Sequence, residues 1–351
     1  MPGTLRCLSF HSTKGGVGKS TLATLSAFAA AEKYPECPVF LVDMDLTGTS
    51  LADVLPLEAP RWVDAEEVPR KFKRGRPRPS GFWPRDESFD RLEARGAGRE
   101  IRQTVPMLND YLLFATPDWS ATNDMPIEAV AWKIEGGPAH LRVLPSSALP
   151  LDLSRTLPII FDEEYTAYIE GRLERLLSQV AERYRDAWVI FDVPPTLPGL
   201  SRAVASLGLR LGVERKQPLA QDGYIPQPLL EAEVRWKNCL VASLDVQDNL
   251  ALARWVALVK PEERDHFKVV VNRATEQEVN SGGLWRRPSV RTHASPDEAL
   301  QVSLDPQDPL LEPGAVLSIK HEEPKRIFIR EGLPTSSALD GMDQLLALVE
   351  G

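Results

Sequence analysis

The sequence predicts an α/β fold, a doubly wound and mostly parallel sheet flanked by helices. Three observations predict it. A short apolar run, Leu5 to Phe10, feeds the glycine-rich stretch Ser12-Thr13-Lys14-Gly15-Gly16-Val17-Gly18-Lys19-Ser20-Thr21, and a helical run opens at about Ser20. Two further apolar runs, Val39 to Val42 and Trp188 to Phe191, end in aspartates, as buried parallel strands do when their C-terminal ends deliver carboxylates to a site. Strand and helix patterns then alternate along much of the chain, which is the signature of a layered sheet with helices on both faces.

The first strand–loop–helix unit is the setting that a phosphate-binding loop needs. Glycines at 15, 16 and 18 let backbone N–H groups turn inward around an anion, and the helix N-terminus adds its dipole. Lys19 is placed to reach β- and γ-phosphates, and the Ser20 hydroxyl to ligate Mg²⁺. Against the general pattern G-x-x-x-x-G-K-[ST], Thr13 stands where the first glycine belongs, and a second lysine, Lys14, precedes the glycine pair. The string Lys-Gly-Gly-x-Gly-Lys-Ser-Thr resembles the deviant Walker A motif of the ParA/MinD family of dimeric P-loop ATPases. The resemblance implies ATP and Mg²⁺ as cofactors, with Gly15, Gly16, Val17, Gly18, Lys19, Ser20 and Thr21 around the nucleotide. It also implies that Lys14 crosses a dimer interface to the partner's nucleotide.

Residues 20–33 form an Ala-rich helix whose small side chains permit close packing on a sheet. After Pro35 and Pro38 comes Val39-Phe40-Leu41-Val42-Asp43-Met44-Asp45, similar to the family's second strand and its Asp-x-Asp segment. The resemblance assigns Asp45 to orienting the attacking water and places Asp43 near Mg²⁺. The plainer reading is that one of the two acids caps the following turn.

Residues 54–139 read as a long irregular insertion. Within them Arg70-Lys71-Phe72-Lys73-Arg74-Gly75-Arg76-Pro77-Arg78-Pro79 holds six cations and no acid. Arg74-Gly75-Arg76-Pro77 resembles an AT-hook, which makes Arg74, Arg76 and Arg78 candidate DNA contacts through a narrow minor groove. A solvated loop, or contact with some other anionic partner, fits the same residues.

His140 to Ser146 reads as a short strand and turn. Tyr165 to Arg185 is an amphipathic helix with Ile169, Leu173, Leu176, Leu177, Val180 and Tyr184 on one core-facing side. Trp188-Val189-Ile190-Phe191-Asp192-Val193-Pro194-Pro195-Thr196 is the second landmark, similar to the family's Walker B and switch II. There Asp192 would hold Mg²⁺ through water and the stiff Pro-Pro segment would sense the γ-phosphate. Residues 197–238 carry Gly199, Gly208, Gly223 and several prolines and read as a second irregular insertion. Cys239 to Ser243 is a strand and Asp248 to Val259 a helix. Phe267 to Arg273 is a β-branched strand ending in Asn272-Arg273, which resembles the family's adenine-side motif. Residues 276–314 are a polar excursion, Ala315 to Ile319 a last strand, and Ser336 to Val349 a terminal helix.

Composition bounds the answer. The 351 residues, 43% apolar and 26% charged, suit a soluble globular chain, read as a single domain with insertions. A net charge of −9 gives no global pull towards nucleic acid, so any DNA contact must be local. Cys7, Cys37 and Cys239 are widely spaced without a C-x-x-C pair, which indicates neither a zinc nor a bridging iron–sulfur site. No signal-peptide pattern or membrane-length apolar run is visible, so the expected location is cytoplasmic. Residues 331–351 contain no Lys or Arg, so a basic C-terminal membrane anchor is not expected.

The resemblance thus implies an ATPase that acts as an ATP-driven dimerisation switch in DNA partitioning or cargo positioning. It would be a homodimer with ATP and work with a cognate activator or cargo adaptor. Two other classes use the same scaffold: an ATP-dependent assembly module of a signalling or defence complex, and a metabolic ATP-dependent enzyme.

Overall fold

The computed structural model describes residues 3–47, 51–58, 60, 107–113, 125–147, 150–195, 198–212, 226–245, 248, 252, 255–256, 259–280, 310, 316–320 and 333–350. The basic cluster with Arg74, Arg76 and Arg78 lies outside these residues.

Strand β1 (Thr4–His11) runs through the glycine-rich loop into helix α1 (Lys19–Lys33) and then β2 (Val39–Asp43). The short strands β3 (Leu57–Glu58) and β4 (Trp132–Ile134) precede β5 (Leu141–Leu144), helix α2 (Pro150–Ile160), helix α3 (Thr166–Arg183) and β6 (Asp186–Asp192). Helix α4 (Pro198–Gly212), β7 (Glu233–Ala242), β8 (Phe267–Asn272), β9 (Leu317–Ile319) and helix α5 (Asp343–Glu350) follow. The strands form one sheet in the order β3-β4-β5-β2-β6-β1-β7-β8-β9. Pairing is parallel from β5 through to β9, and antiparallel only where β4 joins β5 and β3 joins β4.

The period-2 alternation of the strands sorts their side chains onto two faces. Leu5, Cys7, Phe40, Val42, Val189 and Phe191 face α3 and α4, where Leu173, Leu177, Val180, Leu200, Val204 and Leu207 complete one core. Leu8, Phe10, Leu41, Trp188 and Ile190 face α1 and α5, against Leu22, Leu25, Ala30, Leu345 and Leu346. Both faces are covered, which is why β2 and β6 are apolar throughout rather than alternating. Parallel strands here all present their C-terminal ends to one edge. In register, Phe10 sits beside Asp192 and Asp192 beside Asp43, so that edge collects the loop and two carboxylates.

Two stretches read as irregular contain regular elements. Residues 198–212, taken as part of an insertion because of Gly199 and Gly208, form α4. Leu200, Ala203, Val204, Leu207 and Leu211 repeat at helical spacing and are buried. Gly208 is a packing device: an added Cβ would lie 2.5 Å from the Trp236 indole nitrogen. The strand expected at Cys239–Ser243 begins six residues earlier, at Glu233. Buried Val234 and Trp236 alternate there with the charged Glu233, Arg235 and Lys237, and the charges masked the period. Likewise β3 and β4, inside the 54–139 stretch, extend the sheet. Among the described residues, no helix is long and apolar enough to cross a membrane.

Gly208→Ala should therefore overpack the contact of α4 with β7. We expect a loss of about 1–3 kcal/mol in urea unfolding with an unchanged far-UV spectrum.

Candidate functional site

The loop between β1 and α1 walls an open concavity of about 220 Å³, lined by Ser12, Lys14, Gly15, Gly16, Val17, Gly18, Lys19, Ser20, Thr21 and Arg273. Gly16 and Gly18 have φ of +84° and +86°, conformations that cost an L-residue dearly. Gly18 is doubly constrained, because an added Cβ would lie 2.2 Å from Asn272 Nδ2. That nitrogen donates to the Val17 carbonyl oxygen at 2.7 Å. Asn272, at the end of β8, is thus a strut under the loop. The sequence-based expectation for Asn272 is a contact on the adenine side, and this bond to the loop is not part of it. Arg273 follows with φ +61° and lines the concavity. Ser12 donates its hydroxyl to the Lys14 carbonyl at 3.0 Å, closing the loop's first turn.

The two lysines of the loop differ sharply. The Lys19 side chain is 7% exposed, and its Nζ lies 3.0 Å from Asp192 Oδ1 at the end of β6. The Lys14 side chain is 45% exposed, and its Nζ lies 3.5 Å from Oδ1 of the buried Asp248. Asp248 also accepts a hydrogen bond from the Ser243 hydroxyl. Sequence reasoning missed Asp248 as a site residue, because it lies six residues past the end of β7 rather than at a strand end like Asp43 and Asp192.

Asp43 is fully buried, and its Oδ2 accepts from the Leu51 amide (2.8 Å), the Ser146 hydroxyl (2.9 Å) and the Ser146 amide (3.3 Å). Its Oδ1 accepts from the Asp45 amide at 3.2 Å, an Asx-type turn. Burial above all, then the neighbouring Asp192 charge, pushes its carboxyl up to about 7, opposed by the Leu51 and Ser146 hydrogen bonds. Asp45 Oδ1 accepts from the amide and hydroxyl of Thr47. Ser20 sits exposed in the first turn of α1. The Ser20 hydroxyl, Asp43 and Asp192 are hard oxygen donors of the kind that suits Mg²⁺, which draws its remaining ligands from phosphates and water. Among the described residues, no group of three or more His, Cys, Asp or Glu forms a cage of its own. Cys7 and Cys239 face opposite sides of the sheet. Burial pushes both thiols up, Cys239 to about 12, so neither offers a thiolate at neutral pH.

Lys19→Met should leave Asp192 buried without its cation and destabilise the protein by about 3–5 kcal/mol in urea unfolding. The double variant Lys19→Met/Asp192→Leu should recover most of that loss. Asn272→Ala leaves the Val17 carbonyl without its donor, and we expect about tenfold weaker nucleotide binding by calorimetry.

Residues 5–74 match the ParA family model, described as "NUBPL iron-transfer P-loop NTPase". No curated protein sequence matches the chain. Among solved structures, apo McdA of Cyanothece is similar at 13% identity and a TM-score of 0.49, over 97% of this chain and 99% of that one. The MinD cell division protein of Aquifex aeolicus is similar at 17% identity and a TM-score of 0.47, over 97% of each chain. A ParA family ATPase of Chlorobium tepidum is similar at 15% identity and a TM-score of 0.44, over 97% of this chain and 98% of that one. Glycines 16 and 18 in left-handed conformation, Lys19 on Asp192 and the second lysine at position 14 all lie on or beside the matched stretch. Over residues 5–74, which hold the phosphate loop, the chain is thus similar to the ParA family of P-loop NTPases.

Proposed function

We propose that this protein is a Mg²⁺-dependent ATPase that works as a nucleotide-driven dimerisation switch. The observation that carries the reading is the opposite exposure of the two loop lysines. Lys19, turned inward beside Asp192, is positioned for phosphates bound in its own loop. Lys14 stands at the rim, where a cation can meet the phosphates of a nucleotide held by a second copy.

Phosphoryl transfer asks the protein mainly for positioning and for charge stabilisation. The amides of Gly15 to Thr21 and the Lys19 ammonium would hold the β- and γ-phosphates. Ser20, Asp43 and Asp192 would hold Mg²⁺, which neutralises phosphate charge when bound. Asp45 would orient the attacking water, an assignment that requires its carboxylate to leave Thr47. Lys14 would exchange Asp248 for the partner's phosphates, so that ATP favours the dimer and hydrolysis releases it. In this reading the dimer holds DNA or a cargo adaptor, and a cognate activator stimulates hydrolysis. The cluster with Arg74, Arg76 and Arg78 supplies the only sequence support for DNA contact, against a net charge of −9. That net charge favours, as a second reading, an assembly module whose ATP-bound dimer recruits a protein rather than DNA.

Light scattering with ATP and Mg²⁺ tests both. Asp45→Ala should form a persistent dimer, and Lys14→Ala should stay monomeric. If the dimer retains duplex DNA at low salt, where phosphate contacts are strongest, the partitioning reading stands. A dimer that ignores DNA transfers the weight to protein assembly. Monomers throughout would defeat the switch altogether.

A further inference from the structure

Directly behind the phosphate loop, four side chains with polar atoms cluster among the buried residues of β1 and β7. Ser9, His11 and Asn238 are fully buried and Trp236 is 4% exposed. Ser9 and His11 lie on one face of β1, and Ser9 pairs in register with Asn238 of β7. Their hydrogen bonds fix each other's protons. The Trp236 indole N–H only donates, and it approaches both Ser9 Oγ and Asn238 Oδ1 at 3.1 Å. With the indole proton shared between these two atoms, the amide atom facing it is the oxygen. Ser9 spends its one hydroxyl proton on that same oxygen, at 2.6 Å. The remaining contact, His11 Nε2 to Ser9 Oγ at 2.9 Å, must then use a proton from His11. The imidazole is thereby held in a single tautomer with Nε2 protonated. Burial, reinforced by the Lys19 charge, lowers its pKa to about 3 against the opposing effect of Asn238 as an acceptor, so the ring is neutral.

The other side of the ring meets a different element. His11 and Trp255 have centroids 5.6 Å apart at 44°, and Trp255 in turn packs edge-on to Phe267 at 6.1 Å. Asp248, Leu252, Trp255 and Val256 are helical in backbone and spaced as one helical face. That face carries Asp248, the carboxylate on Lys14, and Trp255, the indole on His11. Segment 11–14 is thus gripped at both ends by the same face. Sheet hydrogen bonding fixes the direction in which the chain leaves β1.

We propose that His11 is a positioning residue for the phosphate loop. Its Nε2–H bond to Ser9 and its contact with Trp255 orient the exit of β1, so that the loop amides and Lys14 stand where nucleotide phosphates need them. The proposal rests on the nucleotide reading above, and it adds a residue that touches neither nucleotide nor metal. A side chain with a donor at the same reach keeps the arrangement, and an apolar one of similar size loses it.

The experiment compares wild type, His11→Leu, His11→Gln and Trp255→Phe for calorimetric affinity towards a non-hydrolysable ATP analogue with Mg²⁺, for kcat and KM, and for Tm. Melting temperature separates a misfolded variant from a mispositioned loop. The expected result is at least about tenfold weaker analogue binding for His11→Leu, with KM raised more than kcat falls, and restoration to within about threefold of wild type by His11→Gln. Trp255→Phe retains a ring and should bind within about threefold of wild type, with the nucleotide-induced change in tryptophan emission reduced. A wild type that binds while His11→Leu binds equally well overturns the proposal alone. Equal weakness of the Gln and Leu variants does so too, because the hydrogen bond is then not the agent. A wild type that binds no nucleotide overturns both this proposal and the function it rests on.

Discussion

The buried pair of Lys19 with Asp192 is the constraint on which the rest depends. Removing an ammonium and a carboxylate from water is costly, and their attraction offsets the cost only when geometry is good and other lone pairs are used. The fold supplies that geometry from the sheet. Parallel register sets the end of β6 beside the end of β1, and the loop after β1 returns α1 with Lys19 in its first turn. Two left-handed glycines make the return short enough, and Asn272 supports it from β8. The pair alone would not make a site. It makes one because Asp43, Lys14 and the open loop amides share the same edge of the sheet.

Carboxylates at this edge occupy distinct environments despite similar sequence positions. Asp43 accepts hydrogen bonds from Asp45, Leu51 and Ser146 and is pushed towards neutrality by burial and by Asp192. Asp192 is held by a cation. Asp45 is only partly buried and turned onto its own loop at Thr47. Asp248 faces the rim lysine. The four acids thus differ in their partners: hydrogen-bond donors for Asp43, a buried cation for Asp192, its own loop for Asp45 and the rim lysine for Asp248. The difference comes from what each one faces.

Legibility in the sequence followed the same physics. The loop, β1, β2 and β6 were readable because buried parallel strands are apolar without interruption and the glycine string has a steric reason. Helix α4 and the start of β7 were obscured, because Gly208 and the charges of Glu233, Arg235 and Lys237 imitate loop signals. Their true reasons, a glycine under Trp236 and a half-exposed strand start, are tertiary. Asn272 reads as an adenine-side residue from the pattern at the end of its strand, and its bond to Val17 is invisible to any local reading. Asp248 and the His11 network were missed for the same reason: their partners lie far away in the chain.

Those separations bear on how the chain is made. Val17 and the asparagine that supports it are 255 residues apart. A ribosome releases the N-terminal residues first, so the glycine string exists in full long before β8 has been synthesised. Until then the string has neither its strut nor the carboxylate at 248, and closing contacts of such long range is slow. An N-terminal fragment, however perfect its motif, is a strand and a helix without the strut from Asn272 or the carboxylate of Asp248, so the loop's supports are completed only when the distant part of the chain has been made.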